Sequence, residues 1–212
     1  MFHQTGFQTG VRVQYDASRQ YTIFRPRNGS SYLKVQQRRG EKQYYFAEHG
    51  STVVIRTDSE EGPIKAACRL DESSKDAAWT LGDPESVGQE FSSLQSEKPR
   101  KGGPPYEFHH ADKKYEWKPT HNKAVGSSYF AKSDFKLIET ARSEWIYAVY
   151  IRNPDLRKKD PSSVDALAFL DFYLPLDEEM ELIALATALG VVEKAGDSIL
   201  KEKQSSGIVS VA

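Results

Sequence analysis

Apolar and polar residues alternate through most of the first 81 positions, and a period of two over a short run is the mark of a half-buried strand. Val11, Val13 and Tyr15 share one side of an extended segment, with Arg12 and Gln14 on the other. The same rhythm predicts strands from Gln20 to Arg25 and from Ser31 to Gln37, joined around Asn28-Gly29, a dipeptide that tolerates positive φ and suits a tight hairpin. Further strands are predicted at 42–47 and 52–57, connected through Gly50, and at 64–70 and 77–81.

From Gly82 to Pro105 the alternation gives way to Gly, Pro, Ser, Glu and Lys, a composition that cannot bury a core. A long flexible loop with room for one short strand is expected there. Strand character returns at 106–109, 114–118 and 129–139. The segment from Glu144 to Arg152 is the most marked: Trp145, Tyr147, Val149 and Ile151 are expected on one face, and Ile146, Ala148 and Tyr150 on the other. The run from Asp165 to Leu174 reads as a central strand and stops at Pro175.

At Pro175 the period changes. Asp177 is placed to cap a helix, and Glu178 and Glu179 favour its positive end. The helix is predicted to run to about Lys194, with Gly196 as its stop. Between Met180 and Val192 only Glu181 and Thr187 interrupt Leu, Ile, Ala, Val and Gly, so the helix is apolar all round and must be buried all round. A membrane span needs about 20 apolar residues, more than this run offers. Ala184, Ala186, Ala188 and Gly190 keep it slim.

Many short strands and one all-round apolar helix predict a mainly β fold: a closed antiparallel β-barrel of about twelve strands around a buried hydrophobic C-terminal α-helix. The alternative, a β-sandwich with the helix on one sheet, leaves one side of the helix wet. One domain is expected over residues 1–203, with the flexible loop at 82–105 and a C-terminal tail at 204–212.

Three stretches in this order carry a resemblance: Phe108 followed by Lys114-Tyr115-Glu116-Trp117-Lys118; Tyr147-Ala148-Val149-Tyr150; and Glu178-Glu179-Met180-Glu181-Leu182-Ile183-Ala184-Leu185. On these the chain resembles the tubby C-terminal-like superfamily, which takes in the scramblase and LURP-one-related proteins, and most of all its small fungal members. The resemblance spans Tyr106 to Ala195, and the first half agrees in strand rhythm. It implies a closed barrel around a hydrophobic helix. It also implies phosphoinositide headgroups as ligands, bound through lysines and arginines on the barrel's outside, and membrane association as in the scramblase relatives. No residue of this chain aligns with that basic pocket.

Composition sharpens the picture. The chain has 212 residues, 38% hydrophobic and 28% charged, with 10 Phe, 11 Tyr and 3 Trp, which is globular. A mean hydropathy of -0.63 fits long polar loops. The net charge of -1 hides an asymmetry: residues 1–47 hold eight basic and two acidic side chains, while residues 160–203 hold ten acids and three lysines. One end could face an anion, or the two ends could complement each other. Cys68 is the single cysteine and sits in alternating apolar sequence, so buried filler and a reducing cytoplasm are expected. The opening residues lack the basic flank and apolar run of a secretion signal, and Asn28-Gly29-Ser30 reads as a turn.

Arg25, Arg27, Lys34, Arg38, Arg39 and Lys42 fall on or beside consecutive strands and are the candidate lipid or anion site. Lys98, Arg100, Lys101, Lys113 and Lys114 form a looser set, read as a solvated face. His109-His110-Ala111-Asp112, with His121 nearby, has metal-ligand types, but neighbours on a strand point to opposite faces, so a surface turn is the better reading. No nucleophile elbow, phosphate-binding glycine loop, paired-cysteine motif or zinc-helix motif is present, so neither catalysis nor a cofactor is expected. The expectation is a cytoplasmic, non-catalytic binding module, peripheral at a membrane where it meets anionic lipid. It has no transmembrane segment and no nucleic-acid partner. A protein-interaction scaffold using the 82–105 loop is the alternative, and an enzyme of unknown type a further one.

Overall fold

The computed structural model describes residues 17–24, 32–38, 44–48, 52–70, 77–96, 106–127, 134–152 and 166–192. The expected strand at 11–15, the Asn28-Gly29 turn, Gly50, Lys194, Gly196 and the tail at 204–212 lie outside the described residues. The fold is mainly β, a curled antiparallel sheet with one short helix. Its strands are β1 (Arg19–Phe24), β2 (Tyr32–Gln37), β3 (Tyr44–Glu48), β4 (Thr52–Thr57), β5 (Ile64–Leu70) and β6 (Ala77–Leu81). They continue as β7 (Ser92–Ser96), β8 (Tyr106–His110), β9 (Lys113–Pro119), β10 (Phe135–Glu139), β11 (Arg142–Arg152) and β12 (Ala166–Phe172). Each pairs with its neighbours in sequence, and β1 pairs with β12 as well as with β2. The ladder is thinnest at β7, where Gln95 and Ser96 alone pair with β8, opposite Glu107 and Tyr106.

The stretch expected as a loop from Gly82 therefore contains β7. The turn leading into it is tied down as well. Gly82 N donates to Lys65 O at 2.7 Å, and Thr80 Oγ1 donates to Glu90 O at 2.9 Å. Gly82 has φ 82°, which a side chain would resist. Residues 97–105 lie outside the described residues.

The helix α1 (Glu178–Thr187) opens as its sequence dictates, with the Asp177 carboxylate accepting Met180 N–H at 2.7 Å. α1 itself is short, and after Thr187 the helical path continues as a wider π-turn over Ala188–Val192, where this described segment stops. Within that turn Gly190 lies against β5, where a Cβ would stand 2.5 Å from the Cys68 sulfur. The backbone approaches β5 more closely there than a side chain permits. Every residue from Met180 to Leu189 is buried, including Glu181 and Thr187. Among the described residues no helix is long and apolar enough to cross a membrane.

The inward side of the sheet packs Tyr21, Ile23, Val35, Ile55, Phe108 and Trp117 with α1 in one core. β11 departs from its expected faces. Tyr147, Ala148 and Tyr150 join the inner core, while Ile146, Val149 and Ile151 belong to an outer cluster with Val125, Ile138 and Tyr173. The even alternation fails because the β10–β11 register shifts twice, between Leu137 and Ile138 and between Ile138 and Glu139. A 3-10 turn at Lys123–Val125 carries Val125 onto this outer cluster, so β11 is covered on both sides.

Candidate functional site

On β2 the alternation turns Leu33 and Val35 inward and leaves Lys34 exposed. Arg38 follows four residues later and is exposed too. Its backbone N–H donates to Gln20 O at 2.7 Å, fixing it against β1. The guanidinium lies 4.3 Å over the Phe169 ring of β12, and Nε donates to Thr22 Oγ1 at 3.1 Å. Its Nη2 stands 3.8 Å from Asp171 Oδ1. Asp171 is 8% exposed and accepts Gln20 Nε2 at 3.5 Å. Burial pushes its carboxyl above the usual range, and Arg38 and Gln20 pull the other way. The result is a cation held over an aromatic ring, with one partly desolvated acid beside it.

Of the six basic residues read as an anion site, the structure places Lys34 on β2 and Arg38 just beyond its end, both exposed. Arg25, Arg27, Arg39 and Lys42 lie outside the described residues. In the second basic set, Lys113 Nζ is 3.7 Å from Glu139 and Lys114 Nζ is 2.6 Å from Glu107, so both are paired on the surface. Lys98, Arg100 and Lys101 lie outside the described residues.

The two histidines end β8 at a two-residue hairpin turn, in which Ala111 and Asp112 take φ 47° and 58°. His109 is exposed, whereas His110 meets the Trp79 ring edge-on at 6.1 Å. Among the described residues no group of three His, Cys, Asp or Glu side chains could hold a metal ion. Cys68 is fully buried.

Reasoning from sequence missed a polar framework at the end of the sheet where α1 begins. Glu181, 4% exposed, accepts the Tyr21 hydroxyl and pairs with Arg19. Across the same end, buried Glu139 accepts the Tyr147 hydroxyl at 2.7 Å, and Tyr115 meets Tyr147 edge-on at 5.5 Å. Desolvation first, and then the neighbouring carboxylates, hold Tyr21 and Tyr147 far above the ordinary phenol value. Deeper in, Trp117 Nε1 donates to Thr187 Oγ1 at 2.9 Å. Both polar interruptions of the helix are therefore its attachments to the sheet. The available signal was their isolation: two polar residues in an otherwise apolar helix need partners.

No family, no curated protein and no solved structure matches this chain.

Proposed function

We propose that the chain is a non-catalytic binding module of tubby-like build, its sheet closing as a barrel around α1, and that the outer wall at β1–β2 takes an anionic phospholipid headgroup at a membrane surface. The observation that carries this reading is the pair of exposed cations Lys34, on β2, and Arg38, just beyond its end, on a wall whose inward Leu33 and Val35 belong to the core shared with α1. A filled interior leaves the outside for ligands. The β1–β12 pairing supports closure of the sheet. Arg38 is suited to a phosphate because its contact with Phe169 and its bond to Thr22 already hold the guanidinium in place. The headgroup's charge then competes with Asp171 for the guanidinium.

Co-sedimentation with phosphatidylcholine vesicles, with and without phosphoinositide, tests the reading. Binding should require the phosphoinositide and weaken as salt rises from about 0.1 to 0.5 M. Lys34→Gln and Arg38→Gln should each cost about 1 kcal/mol, and charge removal at Arg25, Arg27, Arg39 and Lys42 should weaken binding further. Salt-insensitive binding, or none, ends the proposal.

A further inference from the structure

The outer wall at β9–β10 holds two lysines in a position that charge alone disfavours. Lys136 and Lys118 are directly opposite each other in the antiparallel register. Like charges so placed repel, because cross-strand neighbours have Cβ atoms only about 5 Å apart. Lys118 has an answer in Glu116, whose Oε2 lies 2.7 Å from its Nζ. Lys136 has none, since no carboxylate among the described residues comes within ion-pair distance of it. It is half-buried, and its partner on the other side, Val149 of β11, belongs to the apolar outer cluster with Ile138. Asp134, two residues before it, is engaged elsewhere: it accepts Ser127 Oγ at 2.9 Å and Arg152 N–H at 3.2 Å.

We propose that Lys136 is a nucleophilic lysine: its half-buried amine, set opposite Lys118 and beside Val149, condenses with small aldehydes to form an imine in preference to the exposed lysines. An amine is a nucleophile only when neutral, and desolvation together with an adjacent cation is the arrangement that makes a lysine so near neutral pH. The directions agree. Burial lowers the Lys136 pKa most, Lys118 lowers it further, and Glu116 raises it. In the reaction the nitrogen lone pair attacks the carbonyl carbon, and the carbonyl π pair moves to oxygen, which takes up a proton. The resulting carbinolamine then loses that oxygen as water, with the nitrogen giving up its protons and forming the C=N bond. One amine and one aldehyde become one imine and one water, with no change of oxidation state.

The test is reductive methylation of the full chain at neutral pH with limiting formaldehyde and cyanoborohydride, followed by peptide mapping of each lysine's rate. Lys136 should be modified several-fold faster than exposed Lys65. Lys118→Gln should slow Lys136, and Glu116→Gln should speed it, while Lys65 stays unchanged in both. Opposite responses to these two neighbours are not expected of a lysine that is merely accessible. Should either variant unfold, the wild-type pH–rate profile decides, with a midpoint for Lys136 below that for Lys65. Equal rates and coincident profiles for the two lysines would overturn the proposal, as would a Lys136 rate indifferent to both substitutions in folded protein.

Discussion

Thr187 links three parts of the core through one hydroxyl. It accepts the Trp117 indole N–H and donates to Ile183 O at 2.8 Å, so the indole is satisfied only while the threonine is present. Thr187→Val keeps the shape and removes the acceptor, leaving a buried N–H unpaired at about 1–3 kcal/mol. Thr187→Ser retains the oxygen and should lose much less. Urea unfolding of the two variants measures the difference, and equal losses would show that Trp117 does not depend on this acceptor. At the candidate site, Lys34 and Arg38 are legible in sequence because strand alternation assigns a residue's face. What holds Arg38 is not legible. Phe169 and Asp171 come from β12, and Gln20 contacts Asp171 from 151 positions away. The Lys118–Lys136 pair is hidden for the same reason, since it depends on the β9–β10 register.

Among the elements, the π-turn after α1 meets β5 where Gly190 faces Cys68. Gly190→Ala pushes a methyl into the sulfur and should destabilise by about 1–3 kcal/mol. Cys68→Ala vacates that space, so the double variant should be more stable than the sum of the single losses predicts. Strict additivity in chemical denaturation would mean that the helix shifts away from β5 instead. Strands β4, β5 and β6 begin and end where the sequence predicts, although only β4 keeps a single buried side, since Ala66, Ala67 and Cys68 of β5 and Trp79 and Thr80 of β6 are buried in succession. β11 starts two residues earlier than predicted, at Arg142, and lost its expected faces, since a bulge arises between two strands and leaves no mark on either alone. β7 was obscured by polarity: of Ser92, Ser93 and Leu94, only Leu94 is buried. The predicted helix end near Lys194 lies outside the described residues, and the closeness of Gly190 to β5 depends on a sulfur over a hundred residues earlier in the chain, which no local pattern shows.

For the whole molecule, alkali is the informative stress. Tyr21, Tyr45, Tyr106, Tyr115 and Tyr147 are all held above the ordinary tyrosine value of 10.0, each chiefly by burial. The unfolded chain releases these protons near 10 and the native state retains them, so their contribution is intact below pH 10 and is lost as pH rises above it. Tm should fall steeply above about pH 10, and the tyrosinate absorbance of these five residues should rise together with unfolding rather than before it. Tyrosinate from more than six of the 11 tyrosines in protein still folded by circular dichroism would contradict this.

The pairing of β1 with β12 also sets a timetable for synthesis. When β1 leaves the ribosome, the strand that will occupy its second edge has not been made, and neither has the helix whose Glu181 takes the Tyr21 hydroxyl. At a translation rate of about 5–20 residues per second, β1 waits many seconds with that edge bare. An unpaired edge is a template for another chain, so polysome crowding is the moment of greatest exposure to misassembly. Emergence of β12, rather than any earlier collapse, ends that exposure.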